Sequence, residues 1–142
     1  MAQQIAVIGG GPSGLFLFKH LTRAPDQPLV ITIFEGSESL GAGMPYSERG
    51  ANMEHVTNVS GIEIPPLVTP LSAWLKELPA DVLQQYALDP AQTHQWKVIP
   101  RLLFGRYLES QFQLLIKRSV VKTNVHLNTI ITEIEDRPKE KK

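Results

Sequence analysis

The sequence predicts an α/β fold with a parallel sheet, and three stretches carry that prediction. Ile5-Ala-Val-Ile8 is an unbroken apolar run that ends in glycines, and Leu29-Val-Ile-Thr-Ile-Phe34 is a second run rich in β-branched residues. Between them, Leu15 to Leu21 is dense in leucine and phenylalanine. Strand, helix and strand within roughly 30 residues make a βαβ unit, whose right-handed crossover sets the two strands parallel. Because Ile5 to Ile8 shows no alternation, helices are expected on both of its faces, which puts this first strand at the centre of the sheet.

Length and composition agree with one domain. A chain of 142 residues can bury a core but is short for a two-domain redox enzyme. Its 42% hydrophobic and 20% charged residues describe a globular chain rather than a disordered one. With 14 basic and 14 acidic residues the charge cancels, which leaves no electrostatic footprint for nucleic acid and no polybasic anchor for a membrane. The lack of cysteine excludes a disulfide framework, a zinc–thiolate centre and a catalytic thiol, and suits a reducing, cytoplasmic setting. The apolar start has no basic residue before it, as a secretory signal would, and no apolar run is long enough to span a bilayer.

The first strand leads into Gly9, Gly11 and Gly14, spaced as G-x-G-x-x-G. In a strand-to-helix turn the first glycine permits the reversal, the second lets backbone approach a pyrophosphate, and the third lets the helix lie close on the strand. A phosphate would then meet the unpaired N–H groups and the positive dipole end of that helix. Pro25 ends the helix. The second strand ends at Glu35, about 20 residues beyond Gly14, the separation expected for a carboxylate that accepts hydrogen bonds from both hydroxyls of an adenosine ribose. A carboxylate there repels a 2′-phosphate, which disfavours NADP.

Gly36 to Gly50 has neither period and reads as loop. Within it Gly41-Ala-Gly43 keeps two readings: an ordinary turn, or a small-residue passage for a ligand that runs on past the pyrophosphate. Ala51 to Pro70 stays irregular; His55 is a candidate base there, but a lone histidine reads as structural or exposed. Thr69 or Ser72 is expected to cap a helix that places Leu71, Trp74, Leu75 and Leu78 on one face, with Trp74 in the core, before Pro79 stops it. Ala80 to Gln95 is a linking segment with a helical turn near Val82 to Tyr86. Arg101 to Arg118, opened by Pro100, is the longest amphipathic helix. Arg101 lies in its first turn, where a cation opposes the dipole, and is read either as facing an anion or as solvent-exposed. Asn124 to Glu135 is expected as a third strand, with His126 on its face. The domain is therefore drawn over 1–136, with 137–142 as a charged tail without expected structure.

Five features in this order are more specific than the glycines alone: Ile5 to Gly14, Glu35, the Gly41-Ala-Gly43 loop leading to Tyr46, His55-Val-Thr-Asn-Val59, and Pro100-Arg-Leu-Leu-Phe-Gly-Arg-Tyr-Leu108. With them the chain resembles the N-terminal part of the FAD-NAD(P)-binding flavoprotein family, akin to flavin-dependent N-hydroxylating monooxygenases and the wider glutathione-reductase-like FAD fold. The resemblance implies a Rossmann-like FAD-binding βαβ unit with a parallel sheet of about three strands, a helical insertion and an incomplete domain. It implies FAD, with Gly9, Gly11, Pro12, Ser13 and Gly14 along the pyrophosphate and Glu35 at the ribose. Gly43, Met44 and Asn58 would lie toward the ribityl chain or isoalloxazine ring. Ile131, on a strand over Thr129 to Ile134, would offer backbone groups to the adenine.

Members of this family commonly carry a leucine pair where this chain has Val56-Thr57. Related enzymes also continue past a third strand with a NAD(P)-binding region and a further flavin-binding segment, so the resemblance implies either a fragment or a shortened form. NAD(P)H would be the reductant in a full-length enzyme. A sheet edge left exposed is expected to take a second copy or the missing C-terminal portion. No metal site and no catalytic residue is assigned. Beside the oxidoreductase reading stand a flavin- or adenine-nucleotide-binding module without turnover and, more weakly, a small NAD-dependent dehydrogenase.

Overall fold

The computed structural model describes residues 2–92 and 94–136, so the charged tail expected over 137–142 lies outside the described residues. β1 (Gln3–Ile8), α1 (Pro12–Thr22) and β2 (Leu29–Phe34) form the βαβ unit. A largely irregular stretch with α2 (Leu71–Glu77) and α3 (Ala80–Gln85) leads to α4 (Arg101–Arg118) and β3 (Lys122–His126), with single 3-10 turns at Gly61–Glu63 and Pro90–Gln92. The pairing is parallel throughout, Gln3 to Ile8 lying opposite Leu29 to Phe34, and Val30 to Phe34 opposite Lys122 to His126.

Among the described residues the strand order is β1-β2-β3, which corrects the expected centre of the sheet. β2 is the strand with a neighbour on each side, and its Ile31 and Ile33 are both 0% exposed, whereas Ile8 of β1 is 54% exposed. The physical reason lies in the crossovers. Two right-handed connections that step in the same direction put α1 and α4 on one face, so described helices cover only that face. An apolar run records what a strand can bury, not which neighbours it has.

The covered face carries the core. Val7, Ile31 and Ile33 meet Leu15 and Phe18 of α1 and Leu103, Leu108 and Phe112 of α4 in one cluster. The Phe18 and Phe112 rings lie 5.5 Å apart. Each such side chain contributes roughly 1.5–3 kcal/mol by leaving water, which is why α4 packs on α1 although 83 residues of sequence separate Phe18 from Arg101. The helix spans the residues its period predicts.

Two further expectations change. No side chain caps α2, whose N-cap residue is Pro70. Thr69 instead donates its backbone N–H to Gln111 Oε1 at 2.7 Å and accepts the Tyr107 hydroxyl on its carbonyl at 2.7 Å. Gln111 is fully buried, and these bonds fasten the entry of α2 to α4. Trp74 is partly buried and meets Tyr107 edge-on at 5.5 Å. Burial pushes the Tyr107 phenol up to about 12.

The third strand stops at His126 rather than running over Asn124 to Glu135. Asn128 takes φ 51°, a left-handed geometry that asparagine tolerates, and turns the chain out of the ladder. Asn128 then donates its N–H to the Ser37 carbonyl at 2.9 Å and Thr129 to the Glu35 carbonyl at 2.8 Å. The chain therefore straps the loop after β2, and Ile130 and Ile134 stay 77% and 76% exposed. His126 does lie on the strand face, its ring stacked on Phe34 at 5.1 Å.

Candidate functional site: a glycine-walled cleft

Sequence dictates this site through absent side chains. β1 ends at Ile8, and Gly9 takes φ +96°, a conformation that L side chains rarely adopt, so the chain can reverse there into α1. A Cβ on Gly14 would run into the Gly9 carbonyl, so only glycine lets α1 start this close to the strand. Gly11 is the N-cap residue of α1, with no side-chain cap bond, and Pro12 sits in the first turn, where its missing N–H is not needed. The N–H groups of Gly11, Ser13 and Gly14 have no hydrogen-bond partner among the described residues. Together with the helix dipole they form a neutral anion cradle.

The cradle opens into a cleft of about 670 Å³ beside the carboxyl end of β1. Gly9, Gly11, Pro12, Ser13, Gly14, Gly43 and Met44, all expected at the site, line it together. Ile8, Leu17 and Tyr46, which were not expected, line it as well. The Gly41-Ala-Gly43 loop reaches the turn because Gly41 donates its N–H to the Gly10 carbonyl at 2.7 Å, and a Cβ on Gly11 would lie 3.2 Å from the Gly43 Cα. The loop also rests on α4, where a Cβ on Gly105 would overlap the Tyr46 carbonyl. These long-range contacts pack the loop against the turn and against α4.

Glu35 stands beside the turn with its carboxylate already engaged. Oε2 accepts the Gly10 N–H at 2.6 Å, and Oε1 accepts the Ser37 N–H at 2.8 Å and the Ser37 hydroxyl at 2.9 Å. Partial burial raises its pKa, but the Gly10 N–H, the two Ser37 donors and the Arg49 charge outweigh that and hold it below the ordinary carboxylate value. A carboxylate has about four lone-pair sites. Three are filled here, so the open one is on Oε2, and Glu35 can accept one further hydroxyl rather than two without releasing Ser37.

Asn58 and Ile131 are not in the lining of this cleft. Asn58 is exposed on an irregular segment held by the start of α4. Ile131 lies outside any strand, and its backbone N–H and C=O pair with nothing among the described residues. Arg101 is partly exposed, and its Nε donates to the Val56 carbonyl at 3.0 Å. Thr57 is 4% exposed, and its hydroxyl accepts the Ile99 N–H at 3.2 Å while donating to the Val59 carbonyl at 2.8 Å. His55 accepts the Asn52 N–H on Nδ1 at 3.3 Å, a local turn contact rather than a catalytic pairing. Sequence reasoning missed Ser37, whose signal was available as a hydroxyl two residues after the acid. It also missed a second hollow of about 560 Å³ beyond Gly43 and Tyr46, walled by Ser37, Arg49, Arg106 and Glu109, whose residues lie too far apart in sequence to form a motif.

Among the described residues no group of histidine and acidic side chains is placed to hold a metal, and no helix is long and apolar enough to cross a membrane. A family model described as FAD-NAD(P)-binding matches residues 6–142. An uncharacterized protein of Escherichia coli, YdhS, is 33% identical over 117 residues, 82% of this chain and 22% of that protein. Protoporphyrinogen oxidase of Macaca fascicularis is 50% identical over 52 residues, 37% of this chain and 10% of that enzyme. The chain thus spans about a fifth of the length of the Escherichia coli relative.

Proposed function

The chain belongs to the FAD-NAD(P)-binding family, and from that premise we propose that it is the FAD-binding portion of a flavin-dependent oxidoreductase, one class of which would be an NAD(P)H-dependent monooxygenase. The observation that carries the reading is the set of unpaired N–H groups at Gly11, Ser13 and Gly14 at the mouth of a cleft whose turn is built of glycines, with the Glu35 carboxylate fixed beside that turn. The residues fit the ADP half of FAD. Gly9, Gly11, Pro12, Ser13 and Gly14 hold the pyrophosphate through backbone, and Glu35 accepts a ribose hydroxyl on the free site of Oε2. The Ile131 backbone suits the adenine edge, and Gly43 and Met44 flank the path toward the ribityl chain. Bound flavin supplies hydride and electron transfer, with NAD(P)H as reductant in a complete enzyme. The chain's own residues bind, orient and shield it.

Catalysis is left to parts beyond these residues, because the cleft lining offers no acid–base pair: Tyr46 is its one ionisable side chain. That feature favours, as the second reading, a nucleotide-binding module without turnover. The free edge of β1 is where a second copy, or further sheet of a longer protein, would add. A cytoplasmic setting accords with the lack of cysteine.

Titrating the purified chain with FAD, ADP and NADP, and heating it to release bound flavin, tests the reading. FAD and ADP should bind and NADP should bind more weakly; failure of both FAD and ADP overturns it. Glu35→Ala should weaken ADP binding by about 1–3 kcal/mol, and because the pKa of Glu35 is lowered, wild-type affinity should hold constant from neutral pH down to the ordinary carboxylate range. NAD(P)H oxidation by the chain alone at flavoenzyme rates would overturn the division of labour.

A further inference from the structure

We infer that Gly10, the glycine that the G-x-G-x-x-G spacing leaves without a role, is a positioning residue: with Leu40 seated on its bare Cα, its N–H fixes the Glu35 carboxylate so that the site prefers a ribose hydroxyl to a 2′-phosphate. The inference rests on the FAD reading and deepens it by naming what holds the acid beside the cradle. Its starting point is a glycine with no backbone reason to be one. Among the described residues only Gly9, Gly41 and Gly43 take a left-handed φ, so any residue can adopt the backbone at position 10. What is excluded there is a side chain. A Cβ on Gly10 would overlap Leu40 Cδ2 and would lie 3.3 Å from Glu35 Oε2 and 3.4 Å from Glu35 Cβ. Leu40 is 7% exposed and belongs to the core cluster, so the core presses it onto the turn at this one bare position.

Gly10 is bonded in both directions. Its N–H donates to Glu35 Oε2 at 2.6 Å, shorter than either bond from Ser37 to that carboxylate, and its carbonyl accepts the Gly41 N–H at 2.7 Å. Acid, turn and loop therefore meet at one residue, and its neighbours Gly9 and Gly11 line the cleft. The acid is thus held one residue from the anion cradle.

The consequence for a ligand follows from what a loose acid would cost. A glutamate side chain has many rotamers, and an unheld one must be ordered when a nucleotide arrives; a carboxylate held beforehand avoids that cost. Partial burial raises the Glu35 pKa, and the Gly10 N–H is foremost among the contacts that bring it below the ordinary value. A ribose hydroxyl can donate to the open lone pair of Oε2, whereas a 2′-phosphate meets a negative charge that cannot turn away.

Titrating Gly10→Ala with ADP, NADP and inorganic pyrophosphate tests the inference. ADP affinity should fall about tenfold or more and the margin between ADP and NADP should shrink, while pyrophosphate, which needs only the N–H groups of the cradle, should bind as to wild type. In the Glu35→Ala background Gly10→Ala should cost ADP nothing more, because the two residues act as one unit. Adding Leu40→Ala, which makes room for the new methyl, should recover ADP binding. Acid should weaken ADP binding to Gly10→Ala at a higher pH than in wild type, since a carboxylate without this donor takes up its proton sooner. If Gly10→Ala does not fold, the Gly10 amide resonance of wild type carries the test: it should move as the Glu35 carboxylate titrates and stay still in Glu35→Ala, and an amide that ignores the titration overturns the inference. So does unchanged ADP affinity in folded Gly10→Ala, a loss shared equally by pyrophosphate, or a loss that persists in the Glu35→Ala background; each leaves the FAD reading standing. A wild-type chain that binds neither ADP nor FAD takes both down.

Discussion

The two faces of the sheet are built from alternate residues of the same strands, yet they differ in what they meet. On one face Val7, Ile31 and Ile33 sit under α1 and α4, at 5%, 0% and 0% exposure. On the other, Ala6 and Ile8 of β1 and Lys122, Asn124 and His126 of β3 are exposed, and only Val30, Thr32 and Phe34 of β2 are partly covered. Strand pairing is the same for both, so the difference comes from the crossovers alone. A strand's composition states its capacity for burial; the helices decide which half of that capacity is used.

The sharpest way to break the comparison is one substitution made once on each face. Ile33→Thr keeps the β-branched shape but removes a methyl from a fully buried position and leaves a hydroxyl among aliphatic neighbours. It should destabilise the chain by about 2–5 kcal/mol, read as a drop in the urea midpoint with the slope unchanged. A loss below about 1 kcal/mol would mean that the covered face is looser than its packing implies.

Tyr107 tests the same side through a polar group. Its hydroxyl holds the Thr69 carbonyl, and its pKa is raised from 10.0 to about 12. A phenol that resists ionisation in the fold contributes stability that is fully present below its unfolded pKa and is lost as pH climbs from about 10 to about 12. Tyr107→Phe should cost about 0.5–1.5 kcal/mol at neutral pH for the hydrogen bond. Unfolding curves taken between pH 9 and about 12 should then fall less steeply for the variant than for wild type. Parallel curves would mean that the phenol is not shielded by α2 and Trp74.

What sequence could reveal follows the same division between local and distant causes. The glycine turn, α1, β2 and the whole of α4 were legible because each is set by neighbours: Gly9 by its own φ, Gly14 by the carbonyl five residues back, α4 by a period that Leu103, Tyr107, Leu108 and Phe112 sustain. The entry to α2 was not, since Thr69 is bound by Tyr107 and Gln111, 38 and 42 residues away. Nor was the end of β3. Ile130 and Ile134 carry a strand-like apolar pattern, but Asn128 and Thr129 are drawn off to the carbonyls of Ser37 and Glu35. At the site, the acid and glycines were readable from spacing, whereas the three protein donors that nearly fill Glu35 became visible only once Gly10 and Ser37 were folded around it.

The smallest expected effect is the most telling half of the pair. Ile8→Thr makes on the open face the change that Ile33→Thr makes on the covered one, at a residue paired in register with Phe34 and 54% exposed. Threonine suits a strand, and its hydroxyl can reach water, so dilute chain should lose no more than about 0.5 kcal/mol. If the stability of wild type rises with protein concentration while that of Ile8→Thr does not, a second copy covers this region and removes Ile8 from water, since association stabilises by mass action. If both are independent of concentration and equal, the face stands open in the isolated chain. A loss of about 2 kcal/mol or more in dilute Ile8→Thr would show Ile8 buried, and the contrast between the two faces would fail.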